Sequence, residues 1–240
     1  MSEYNFKGIK PESIELLCLN RFNDSKEFYE EHKLELKEGI TVPMRQIVLD
    51  LSGLMYEIDD KMFTDPVRCV SRIYRDTRGN RSKIKYRETM WLMLRRYKNE
   101  YPSAPFFYFE FFPNSFGYGL GFWTWKQSAF KEVHNLILDK PNEWLEALDA
   151  CKQAGFVYGS RDNYKKDMYP NAPKELKPYL SAKNMQFSYN SFDMNKINSS
   201  ALIDEIKLAF DLASPMYTFW AKAYDNMLSK GIIKPEDAMR

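Results

Sequence analysis

The sequence predicts an α+β protein, with an antiparallel sheet of about four to six strands from the middle of the chain packed with N- and C-terminal helices. Three observations carry the prediction. Apolar residues recur at helical spacing over the first sixty residues and again towards the C-terminus. The middle holds short apolar or aromatic runs separated by turn residues, which suggests a meander rather than βαβ units. The chain has 240 residues, 44% hydrophobic and 28% charged, an ordinary globular composition with enough length to bury a large core.

The elements follow in order. Pro11 opens a first helix, with Ile14, Leu17 and Leu19 available for burial. Asp24 followed by Glu27 reads as a capping box for a second helix through Phe28, Tyr29 and His32. Val42 to Ile58 is the clearest helix, because Met44, Ile47, Val48, Leu51, Leu54, Met55 and Ile58 fall on one face. Pro66 marks a break, and Val67 to Tyr74 reads as β-like. Thr89 to Leu94, Phe106 to Phe112 and Tyr118 to Trp125 are further strands, divided by Pro102, Pro105, Pro113 and Gly117. Helices are expected over Ser128 to Leu138, Pro141 to Ala154 with Gly155 as its stop, and briefly over Pro173 to Ser181. Met185 to Phe192 is a candidate strand. Leu202 to Ala213 and Met216 to Leu228 are expected as two helices broken or kinked at Pro215. No repeat or linker divides the chain, so residues 1–240 read as a single α+β domain.

Composition limits the function classes. Aromatic residues make up 16% of the chain, which fits a well-filled core more simply than an aromatic-walled pocket. The net charge is only +2, against a globally basic nucleic-acid binder. Cys18, Cys69 and Cys151 are odd in number and far apart, which argues for a reducing compartment and against zinc or redox C-x-x-C chemistry. There is no signal-peptide pattern and no apolar run long enough to span a membrane, so the cytoplasm is expected. No cofactor and no metal site is indicated. His32 and His134, the two histidines, both fall on expected helices outside any metal or catalytic motif. Gly117, Gly119 and Gly121 match neither the dinucleotide fingerprint nor a P-loop, and close packing is the preferred reading of their spacing.

The sharpest feature is the segment from Arg68 to Arg87. It carries Arg68, Arg72, Arg75, Arg78, Arg81, Lys83, Lys85 and Arg87 against Asp76 alone, a local charge of +7 in a chain of +2. On an extended backbone Arg72 shares a face with Tyr74, and Ile73 shares one with Arg75. Arginines from a strand end and the adjacent loop are suited to converge on phosphate or carboxylate, which a guanidinium meets with paired donors. In this reading Arg72, Arg75 and Arg78 hold the anion, Asp76 orients them, and Lys83 and Tyr86 complete the rim. Two alternatives stand beside a small anionic ligand. One is nucleic-acid binding by residues 68–87. The other is a structural role, with the arginines in internal ion pairs to acids such as Glu30, Glu31 or Glu35.

The run Arg72-Ile73-Tyr74-Arg75-Asp76-Thr77-Arg78, with Lys83 and Tyr86-Arg87 after it, resembles the R-I-x-R-D-T-R-F-S-K-D-K-x-P-Y-K signature of the family called domain of unknown function 2461. Leu17, Asn23, Phe28, Tyr29, His32 and Lys33 resemble its upstream segment, and Gly117 to Trp123 its glycine-rich stretch. Gly79 stands where the family usually has Phe, Ser82 at its acidic position and Lys85 at its proline. Asn20 and Asp24 also depart from the upstream pattern. The resemblance implies an α+β fold and a soluble, mostly microbial protein, and it implies no activity.

Overall fold

The structure, a computed structural model, describes residues 4–77, 83–124 and 126–239. The expected first helix is α1 (Pro11–Asn23), which starts on Pro11 and buries Ile14 and Leu17. The second, α2 (Lys26–Glu31), is capped by Ser25 rather than Asp24. The Phe28 N–H donates to Ser25 Oγ at 3.0 Å. Asp24 instead takes the left-handed backbone, φ 47°, that turns the chain between the two helices. A short polar side chain tolerates that conformation, and Ser25 behind it keeps the extended backbone a cap needs. The Asp24 carboxylate is thereby freed to accept from Lys85 N at 2.8 Å and Tyr86 N at 3.1 Å.

From Lys33 the helix is continuous. It runs through α3 (Lys33–Leu36), a π-helical turn (Lys37–Thr41) and α4 (Val42–Ile58). Met44, Ile47, Val48, Leu51 and Met55 are buried as the periodicity required.

The sheet is built from β1 (Met62–Phe63), β2 (Met90–Arg96), β3 (Phe106–Phe112), β4 (Ser115–Trp123), β5 (Val157–Gly159) and β6 (Asn184–Ser191). Its order is β1-β2-β3-β4-β6-β5, and each neighbouring pair is antiparallel. This is the α+β architecture the sequence predicts. The two short outer strands β1 and β5 were not foreseen, because two or three residues carry no alternation to read.

Residues 67–74 are not a strand. They begin as a helical turn, α5 (Pro66–Cys69), because the Asp65 carboxylate accepts from the N–H groups of Val67 and Arg68 and caps it. The chain then extends, and Val70 and Tyr74 each make one isolated bridge, to Leu92 and Tyr86.

After β4 come α6 (Gln127–Asp139), α7 (Pro141–Gln153) and α8 (Lys177–Leu180), and the chain closes with α9 (Ala201–Ser229). Pro215 does not divide α9 in two. It is exposed, while Ala213, Met216, Tyr217, Phe219 and Trp220 around it are buried. Burial of that apolar face at roughly 1.5–3 kcal/mol per large side chain outweighs the roughly 3 kcal/mol a proline costs a helix.

The two sheet faces differ. Leu92, Leu94, Phe107, Phe109, Tyr118 and Leu120 face the helices, where Phe107 packs on Phe210 and Tyr217 of α9 with ring centroids 4.7 and 5.1 Å apart. Trp91, Met93 and Arg95 alternate with them and point the other way. Gly119 lies in β4 opposite Ser188, where a Cβ would fall 2.0 Å from the Phe187 carbonyl oxygen. The close approach of β4 and β6 therefore explains that glycine without a ligand. One contiguous hydrophobic core reaches from Phe6 to Ile233. Among the described residues no helix is long and apolar enough to cross a membrane.

Candidate functional site

A cleft of about 860 Å³ opens between the N-terminal helices and the edge of the sheet. One wall is a row on the helices: Tyr29, Lys33, Lys37, Thr41 and Arg45, at steps of four. In an ideal α-helix each such step drifts by about 40° around the axis. The wider π turn at Lys37–Thr41 takes up part of that drift, so Lys37, Thr41 and Arg45 stay on the side of the cleft.

The other wall comes from three pieces of chain. β2 turns Trp91, Met93 and Arg95 towards the cleft by strand alternation. The α5 turn supplies Arg68, whose Nη1 donates to the Tyr97 hydroxyl at 3.2 Å and whose guanidinium lies 5.9 Å from that ring's centroid. The extended stretch after α5 supplies Arg72 and Tyr74. That stretch is pinned along β2 at Ser71. Its N–H donates to the Trp91 carbonyl at 2.9 Å, and its Oγ accepts from the Trp91 N–H at 3.0 Å.

The lining is strongly one-signed. Lys33, Lys37, Arg45, Arg68, Arg72, Arg95, Arg96 and Lys98 contribute to it, and no Asp or Glu does among the described residues. Two of these eight charges are answered nearby. Arg96 donates to Asp59 through Nε at 2.7 Å and also pairs with Asp225. Lys33 meets Glu30 at 3.0 Å on the surface. The other six have no carboxylate within ion-pair distance among the described residues. Burial pushes the Arg95 guanidinium below its ordinary value. The Arg45 Nε is buried with no hydrogen-bond partner among the described residues.

Nucleophiles are weak here. Burial, with Asp65 adding to it, pushes the Cys69 thiol up to about 12, so it stays protonated at neutral pH. The Ser71 hydroxyl is held by Trp91 N and lies 3.7 Å from Met90 Sδ. What the cleft offers is positive charge, arranged beforehand.

Of the residues singled out from sequence, Arg72 lines the cleft, and so does Tyr74 on its face. Arg75 does not line the cleft and is half-buried, and burial, with the Arg75 charge adding to it, holds the Arg87 guanidinium below its ordinary value. Asp76 and Lys83 are exposed and do not line the cleft. Arg78 lies outside the described residues. Tyr86 is buried, stacked on Tyr29 at 4.9 Å and edge-on to Tyr74 at 5.6 Å, so it supports the cleft wall from behind. Sequence reasoning missed Lys37, Arg45, Arg95 and Lys98. Signals were present for the first three: Lys33, Lys37 and Arg45 fall in a row at steps of four broken only by Thr41, and Arg95 is a cation in the outward register of a strand.

His32 sits at a helix boundary, its Nδ1 3.0 Å from the Phe28 carbonyl oxygen. His134 is fully buried. Its Nε2 lies 2.8 Å from the Ala182 carbonyl oxygen, and its Nδ1 lies 3.3 Å from the Tyr169 hydroxyl. No cluster of three His, Cys, Asp or Glu side chains suited to a metal ion occurs among the described residues.

None of the curated proteins matches the chain. The sequence model of one family, described as conserved hypothetical protein (DUF2461), matches residues 12–219. That match takes in both walls of the cleft and all but the ends of the chain, and the protein belongs to the DUF2461 family.

Proposed function

We propose that the protein binds a small anionic ligand bearing phosphate or carboxylate, and that the cleft between the N-terminal helices and β2 holds it. One observation carries the reading: six cations that have no carboxylate partner among the described residues face one concave space whose described lining holds no acid. Ordinary surface cations are interspersed with acids, and a like-charged cleft focuses potential on anions. Arg45, Arg72 and Arg95 are the residues we assign to the ligand, with Lys37 and Lys98 at the rim. Arg75, Asp76 and Lys83 do not line the cleft and are left out of the assignment, and Arg78 lies outside the described residues. The three free cysteines fit a reducing compartment, which we take to be the cytoplasm.

A thermal-shift screen tests the reading with nucleotides, sugar phosphates, and di- and tricarboxylates, using sulfate as the general anion. A ligand at about 100 times its dissociation constant adds about 2.7 kcal/mol, a rise of roughly 5–10 °C for a chain of this size. The rise is expected in Arg75→Ala and absent in Arg95→Gln. Loss in Arg75→Ala instead would move the site onto the stretch that carries Arg75. A flat response to every anion would remove the reading. A short oligonucleotide in the same screen, titrated against salt, tests the nucleic-acid alternative, whose affinity falls steeply as salt rises.

A further inference from the structure

Within that reading, on which this inference rests, we propose that the ligand carries at least two phosphoryl groups: the cleft is a site for an oligophosphate rather than for a monoanion.

The argument is one of charge and placement. After Arg96 and Lys33 are set aside with their partners, Lys37, Arg45, Arg68, Arg72, Arg95 and Lys98 remain. A single carboxylate leaves five of these six charges unanswered, and one phosphate leaves four. Two or three linked phosphoryl groups bring about three to four negative charges at neutral pH and leave only two or three of the six unanswered.

The cations also stand on opposing walls. Lys37 and Arg45 come from the helical wall, and Arg68, Arg72 and Arg95 from the sheet wall. A ligand that engages both must present anionic oxygens on two sides, which a linked pair of phosphates does and a lone carboxylate does not. Three details support a built site. Arg68 is already oriented by the Tyr97 hydroxyl and ring. Arg45 holds a buried Nε with no partner among the described residues. Arg95 is half-buried without a carboxylate within ion-pair distance among the described residues. Arginine is suited to this task because its fork of donors grips two oxygens at once.

The organic part of the ligand is a separate question. Trp91 is 38% exposed and Tyr74 is 50% exposed, and both line the cleft, so aromatic surface is available there to a planar group. Both an oligophosphate alone and one attached to an aromatic base meet the charge requirement, and the test separates them.

Isothermal titration calorimetry of the purified full chain would compare orthophosphate, pyrophosphate, tripolyphosphate, a nucleoside triphosphate and citrate at fixed ionic strength. Pyrophosphate is expected to bind at least tenfold more tightly than orthophosphate, and tripolyphosphate more tightly again. Arg45→Gln and Arg95→Gln, one from each wall, are expected each to shrink the pyrophosphate-to-orthophosphate ratio towards one. A nucleoside triphosphate that exceeds tripolyphosphate by tenfold, with the gain lost in Trp91→Ala, would assign the organic part to a stacked base. Equal affinities would assign the site to the phosphates alone. If orthophosphate, citrate and pyrophosphate bind equally well, the oligophosphate inference fails while the anion site stands. If none of them binds, both fail. Circular dichroism of each variant separates lost binding from lost folding.

Discussion

The two neighbouring arginines that end β2 are held in opposite ways. Arg96 points to the helix side and is 4% exposed, bound to Asp59 and Asp225. Burial alone would raise the Asp59 carboxyl, but hydrogen bonds from Tyr217 at 2.7 Å and from Arg96 outweigh it and hold the group below its ordinary value. Replacing Arg96 with Met leaves Asp59 buried with its main charge partner gone. A loss of about 3–5 kcal/mol is expected, read as a fall of roughly 6–20 °C in Tm. Arg95→Gln removes a charge that has no such partner among the described residues, so its Tm should not fall. A drop equal to that of Arg96→Met would show that Arg95 is structural. His134 gives a second prediction at this scale. Burial, against the favourable Ala182 contact, pushes its ring down to about 4 from an ordinary 6.5. Because the folded state resists protonation more than the unfolded state, stability is complete above about pH 6.5 and falls as pH drops towards 4. At 1.36 kcal/mol per pH unit, the loss is about 3 kcal/mol. Asp59 has the same sign but acts lower, below its ordinary 3.8. Urea titrations across that range should show the loss in wild type and a flatter profile in His134→Gln.

The regular elements were legible where periodicity was long. α4 declared itself through seven apolar positions, and α7 through Pro141 and Gly155, because packing there follows one face of a helix. Elements decided by tertiary contact were not legible. The cap shifted from Asp24 to Ser25 because Asp24 is used by Lys85 and Tyr86, sixty residues away in sequence. Much of the site was equally hidden. Arg72 lay in an obvious charge run, whereas Arg45 sits alone in an apolar pattern and Arg95 ends one beside Arg96, and only the fold brings them to one cleft. α9 was misread for a related reason: a proline rule is local, and burial along one face of the helix overrode it. Two predictions belong here. Pro215→Ala should stabilise the protein by about 1–3 kcal/mol, since it is exposed in a helix that already runs through it. A lower Tm would mean that the helix needs its proline geometry. Gly119→Ala should destabilise strongly, because its methyl would meet the Phe187 carbonyl at a distance no real contact shows, whereas Gly159→Ala, with nothing within 4 Å, should not.

Across the whole molecule, charge is segregated rather than abundant. The chain is near neutral at +2, yet its cleft gathers cations from three separate stretches of sequence, 33–45, 68–72 and 95–98. Such an arrangement is costly without a ligand. Like charges repel, and the Debye length sets how far they do so: about 30 Å at 0.01 M salt and about 10 Å at 0.1 M. The free protein should therefore melt higher at 0.1 M sodium chloride than at 0.01 M, opposite to a protein held together by exposed salt bridges. The double variant Arg45→Gln, Arg95→Gln relieves the same repulsion by removing its source. It should match or exceed the wild-type Tm at low salt, show little further gain from added salt, and bind no oligophosphate. Stability and binding then move in opposite directions, as expected when a site is built from charges that only its ligand satisfies. Equal salt dependence in wild type and the double variant would place the sensitivity elsewhere on the surface. A double variant that melts well below wild type at every salt concentration would show that Arg45 and Arg95 serve the fold, and the cleft would lose its standing as a site.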